Sequence, residues 1–138
     1  MTGGKYYIAD MNKIYHLSSC TTCQRILAET GIGGSGGKRA FVMQDIKTEQ
    51  ITPEQLEALK EKAGSYEALF SRRALKYKEL KLKDKHLGEA DFRRLILEDY
   101  TFLKRPVVLV GTAIFAGSEK NTVTALKATI NHGALRGD

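Results

Sequence analysis

The chain has 138 residues, of which 42% are hydrophobic and 28% charged, with two cysteines and a formal net charge of +6. That length suits one domain over 1–138, with a core over about 12–131, and the composition excludes an intrinsically disordered chain. No apolar run reaches the ~18 residues of a membrane span, and Met1 to Lys13 lack a signal peptide's apolar segment, so the expected compartment is the cytoplasm, where thiols stay reduced.

Lys13–Leu17 is short and apolar and reads as the first strand. A helix should start near Thr21 or Thr22, turn Ile26 and Leu27 inward, and stop by Gly31. Gly33, Gly34, Gly36 and Gly37 read as a mobile linker. They do not form a phosphate loop, because Ile32 and Arg39 break that pattern and the stretch follows a helix rather than a strand. Ala40–Ile46 is the second strand, and strand–helix–strand at this spacing predicts a parallel pair with a right-handed crossover.

The next helix carries full entry signals. Thr52 is a good N-cap, Pro53 suits the first helical position, Gln55 completes a capping box, and Ile51 can staple onto Leu56. Gly64 should end it. Ser65 is expected to cap another helix through Leu69, Phe70 and Arg73. Gly88–Tyr100 should form a further one, with Phe92, Leu95 and Ile96 at helical spacing. Val107–Val110 and Ala113–Ala116 flank Gly111-Thr112, which predicts a two-residue hairpin with glycine first. Ser118 should cap a last helix with Val123, Leu126 and Ile130 inward, leaving Gly133–Asp138 as a frayed tail. The expected fold class is α/β: a mixed sheet of four strands with helices on both faces and a block of helices inserted midway.

Lys76, Lys78, Lys81, Lys83 and Lys85 make the densest basic stretch and read as a solvated face. No stacking aromatics interleave with them, so direct nucleic-acid binding is not expected. The chemistry concentrates in Cys20-Thr21-Thr22-Cys23, where the first strand hands over to a helix. Two intervening residues span one helical turn, which brings the sulfurs within reach of each other. The free N–H groups and positive end of the helix favour a thiolate. Cys20, nearer the helix start, is the expected nucleophile, and Cys23 would resolve its mixed disulfide. Two cysteines and three scattered histidines do not supply a tetrahedral zinc site, so no metal is expected. His16, four residues before Cys20, is either a partly buried strand residue or a source of positive potential for the thiolate. Proline at the head of a strand donates nothing to a ladder, which explains Pro106 before Val107. Arg105 beside it could reach an anion near Cys20.

These features resemble the arsenate reductase/Spx family of thioredoxin-like proteins over about Asn12 to Ile130. The resemblance rests on Ile14-Tyr15-His16 leading into Cys20, on Leu69-Phe70 with Arg72-Arg73 and Tyr77-Lys78-Glu79-Leu80, and above all on Leu103-Lys104-Arg105-Pro106-Val107-Val108. It implies a thioredoxin-like core with a helical insertion, a cis proline at Pro106 and a nucleophilic Cys20. In the arsenate-reducing branch it also implies three oxyanion-binding arginines. Arg105 matches one, Arg72 or Arg73 lies beside a second, and the third falls at Gly117. The arginine expected four residues after the nucleophile is Gln24, with Arg25 beside it. Thr21 and Thr22 complete the expected anion-binding set. No cofactor is expected to be bound, and glutathione, a glutaredoxin or a thioredoxin would act as reductant. The expectation is a thiol oxidoreductase, its substrate either arsenate or a disulfide. The Spx branch implies the alternative, a redox switch that binds the RNA polymerase α-subunit.

Overall fold

The computed structural model of the protein describes residues 12–32 and 41–135. Four strands form one mixed sheet in the order β2-β1-β3-β4. β1 (Lys13–His16) pairs in parallel with β2 (Val42–Asp45), so that Tyr15 faces Gln44 and His16 faces Asp45. β3 (Val107–Val110) runs antiparallel to β1 and to β4 (Ala113–Ala116). The β3–β4 turn is Gly111-Thr112. Gly111 takes φ +60° and Thr112 does not share that positive φ, as a turn with glycine first requires. The Asn12 side-chain oxygen accepts the Gly111 N–H at 2.9 Å.

The two-residue period of the central strands divides the core between two faces. Ile14 and Val108 pack with Ile26 of α1 (Thr21–Thr30) and with Val123 and Leu126 of α5 (Lys120–Leu135). Tyr15, Val107 and Leu109 point the other way, onto Leu56 and Leu59 of α2 (Pro53–Ala63) and the residues that follow. The capping box of α2 is present. Gln55 N–H donates to Thr52 Oγ1 at 3.0 Å and Gln55 Oε1 accepts from Thr52 N–H at 3.1 Å. The Gln55 amide also exchanges two hydrogen bonds with the buried Gln44 of β2, which ties the helix start to the sheet.

The inserted block departs from the sequence reading at two of its expected helices. Ser65 Oγ does accept the Ala68 N–H at 3.1 Å, but the helix expected through Arg73 is only a 3₁₀ turn, Glu67–Leu69. Phe70 is extended and bridges to Leu103, with Ser71 N–H donating to Phe102 O at 2.7 Å and Lys104 N–H to Leu69 O at 2.8 Å. Those bonds use the backbone groups that a longer helix would need. α3 (Leu75–Glu79) follows, then a second 3₁₀ turn, Leu82–Asp84, within the lysine-rich stretch.

α4 (Glu89–Glu98) stops before Tyr100, because Asp99 is extended and its carboxylate accepts the Thr101 N–H and Oγ–H at the start of a third 3₁₀ turn, Tyr100–Phe102. At the end of the chain Ser118 is not the cap. Val123 N–H closes on Glu119 O, so α5 begins one residue later, and it continues through Gly133 to Leu135 where a frayed tail was expected. Gly33, Gly34, Gly36 and Gly37 lie outside the described residues, as does the start of the second strand at Ala40. Among the described residues no helix is long and apolar enough to cross a membrane.

Candidate active site

A cavity of about 360 Å³ opens where β1 meets α1 and where the segment before β3 meets the inserted block. Its wall includes Cys20, Thr22, Phe70, Ser71, Arg72, Arg73, Lys104, Arg105, Gly117, Ser118 and Glu119. Cys20 N–H donates to Leu17 O at 3.1 Å, which closes a turn over Ser18-Ser19 and sets Cys20 as the extended N-cap of α1. The side chain therefore stands at the end of α1 where the amides of the first turn have no partner within the helix.

The two free thiols differ in surroundings. Burial pushes the Cys20 thiol up, but the Cys23 N–H, the Cys23 thiol, the Thr22 N–H and the Arg105 charge outweigh it, and the net direction is down. Cys23 is fully buried. That burial, with the negative charge of Cys20 adding to it, pushes its thiol up to about 11. The Cys20 proton therefore leaves more readily than that of Cys23 one turn further in.

The cavity is strongly cationic. Arg105, half-buried, donates from Nη1 to Thr101 O at 3.3 Å, which directs it along the segment leading to the cis Arg105–Pro106 peptide. Arg72 lines the wall but is engaged with Glu67 at 3.0 Å, and its guanidinium lies 5.5 Å from the Phe92 ring centre. Arg73 is exposed and lines the wall with no ion-pair partner among the described residues. The Phe70–Leu103 bridge is what brings Ser71, Arg72 and Arg73 alongside Lys104 and Arg105.

Thr21, the first residue of α1, is exposed and takes no part in the wall, whereas Thr22 does. His16 is buried at the end of β1 with Nδ1 unpartnered, and it is not among the groups that set the Cys20 thiol. Lys104, Ser118 and Glu119 were not expected in the site from sequence. Lys104 stands in the same string as Arg105, whereas Glu119 gave no local signal.

A family model matches residues 15–126, from the Tyr15 of β1 to the Leu126 of α5. The chain belongs to the ArsC family. Its fold is similar to an arsenate reductase from Vibrio cholerae, at 22% identity and TM-score 0.67 over 85% of this chain and 98% of that one. It is also similar to an arsenate reductase (ArsC) related protein from Brucella melitensis, at 20% identity and TM-score 0.62 over 83% and 92%. A protein from Staphylococcus aureus matches at 26% identity and TM-score 0.62 over 83% and 97%. No match was found among curated proteins. The ArsC-family match takes in both cysteines and the cis proline. In this member Gly117, where the third oxyanion arginine was expected, has φ +96°, and its N–H donates to Pro106 O at 2.8 Å. A Cβ there would stand 3.4 Å from Lys104 Cδ, in a backbone conformation that side chains other than glycine rarely adopt.

Proposed function

We propose that the protein is a thiol–disulfide oxidoreductase of the ArsC family, with Cys20 attacking and Cys23 resolving. The observation that carries this reading is the placement of the two thiols, Cys20 in the cavity wall at the start of α1 and Cys23 fully buried one helical turn further in. The Cys20 thiolate attacks one sulfur of a disulfide, forming a mixed disulfide and releasing the other half as a thiolate. Cys23 then loses its proton and attacks the Cys20 sulfur, releasing the second half as a thiol and leaving a Cys20–Cys23 disulfide. Two electrons pass from the pair to the substrate. Glutathione, a glutaredoxin or a thioredoxin would return them.

A disulfide substrate is favoured over arsenate because Gly117, where the third oxyanion-binding arginine was expected, offers no side chain to an oxyanion. The arginine pair left at the mouth is Arg105 with Arg73. Arg105 supports the thiolate and, as a planar fork, can hold a carboxylate of the substrate.

Treatment with glutathione disulfide and mass spectrometry tests the reading. The unmodified protein should lose two hydrogens and form an intramolecular bond, while Cys23→Ser should accumulate glutathione on Cys20. Adducts distributed equally over both cysteines would refute the division of roles. Arsenate turnover should be negligible, and robust turnover would reverse the choice of substrate. A protein that exchanged slowly and instead bound the RNA polymerase α-subunit would be a switch rather than an enzyme.

A further inference from the structure

Ser18 lies in the turn between β1 and Cys20, and side chains from two other elements hold it. The Asp45 carboxylate, at the end of β2, accepts the Ser18 N–H through Oδ2 at 3.2 Å and the Ser18 hydroxyl through the same oxygen. Its Oδ1 accepts the Lys47 N–H at 3.0 Å, which fixes the carboxylate against its own strand end. From the opposite side, Gln24 of α1 donates from Nε2 to Ser18 O at 2.5 Å. The N–H, hydroxyl and carbonyl of Ser18 are thus all taken up by residues outside the turn. The next bond along the chain is Cys20 N–H to Leu17 O, which closes the turn and places Cys20 at the helix start.

We propose that Asp45 and Gln24 are positioning residues for Cys20, acting through Ser18 to hold the redox turn in the form that sets the sulfur against the first amides of α1. The proposal rests on the reading that Cys20 is the attacking thiol. It gives Gln24 a task unlike that of the arginine expected at its position. It also gives β2, the edge strand, a part in the site that the cavity wall does not reveal.

The clamp and a simple charge effect predict opposite signs. Asp45 is negative, so removing it by charge alone would favour the Cys20 thiolate and lower its titration midpoint. Releasing the turn lets the sulfur leave the amide donors and raises the midpoint.

The test is the pH dependence of Cys20 alkylation by iodoacetamide in the full chain, with mass spectrometry to assign the site and thermal unfolding to confirm folding. Asp45→Ala, Ser18→Ala and Gln24→Leu should each raise the midpoint by about half a pH unit and slow alkylation about threefold at neutral pH. The double variant Asp45→Ala/Ser18→Ala should behave like Asp45→Ala alone, since both cut one connection. An unchanged or lowered midpoint in folded Asp45→Ala overturns the proposal. If that variant does not fold, unchanged midpoints in Ser18→Ala and Gln24→Leu, which alter exposed groups, overturn it equally. A midpoint at or above the ordinary thiol value in the unmodified protein would instead refute the function reading. A depressed one that no variant moves refutes the clamp alone.

Discussion

At the scale of single residues, the chemistry depends on what each sulfur can touch. Cys20 is half-buried at a helix start, where two backbone N–H groups and the Cys23 thiol offset the cost of burying charge. Cys23, one turn further in, sits inside the apolar layer. Arg105 acts on both sulfurs in the same direction, lowering each, but it ranks behind the amides at Cys20. Arg105→Ala should therefore raise the Cys20 midpoint by only a few tenths of a pH unit. It should weaken capture of an acidic disulfide more than that shift explains. Arg105→Lys should restore the midpoint but not the capture, because an ammonium lacks the planar fork. Measuring alkylation against pH alongside KM for glutathione disulfide separates the two effects. Equal loss of both in the lysine variant would contradict the assignment.

At the scale of elements, the short bridge between Phe70 and Leu103 does more than the helices around it to assemble the site. The Phe70 ring stacks on Phe102 at 5.1 Å between centres and lies 4.8 Å from Phe92, so it joins the inserted block to the segment that carries Lys104 and Arg105. Phe70 is almost fully buried. Phe70→Ala should cost about 3–5 kcal/mol of stability by the usual penalty for emptying an aromatic core site. Thr52→Ala, which removes a helix cap far from the cavity, should cost about 1 kcal/mol. Denaturant unfolding of the two variants checks the order. The Phe70 variant alone should also loosen Arg72, whose guanidinium packs over the Phe70 and Phe92 rings.

At the scale of the whole molecule, two apolar layers pack against a sheet whose central strands are buried on both faces, and the titratable groups buried with them include Cys23 and Tyr15. Burial pushes Cys23 from an ordinary 9.0 to about 11 and Tyr15 from 10.0 to about 12. Both groups are neutral when protonated, and the fold favours that form. Their contribution to stability is complete below the unfolded values and is lost as pH rises through the folded ones. The reduced protein should therefore lose thermal stability between about pH 9 and 12, first through Cys23 and then through Tyr15. Cys23→Ala should flatten the earlier part of that decline, between pH 9 and about 11. Burial holds the Lys13 amine below its ordinary value, which works the other way over the same range, so the comparison with Cys23→Ala is decisive: identical profiles from pH 9 to 11 would show that Cys23 is not held as described.

The features legible in the sequence are those that depend on residues a few positions apart. The capping box of α2 needs only Thr52, Pro53 and Gln55, and the hairpin needs only glycine at 111. The placement of Cys20 at a helix start follows from a strand and a helix that abut, and the alternation of Ile14 and Tyr15 assigns them to opposite faces. The family, too, was legible, because its most specific string is contiguous at Leu103 to Val108 and ends in the cis-proline strand. Tertiary structure alone decided the rest. Leu69 and Phe70 carry helical spacing, yet Phe70 is extended because its neighbours' backbone groups pair with Phe102 and Lys104. Ser118 has a good cap side chain, yet the packing of α5 starts the helix after Glu119 and leaves Ser118 in the cavity wall. Asp45 and Ser18 are 27 positions apart and meet only because β2 pairs with β1 in one register. A helix cap or a tight turn is settled by local sterics and one or two hydrogen bonds, which short sequence patterns record. A contact across the sheet depends on register and on the path of the chain between, and no local pattern records either.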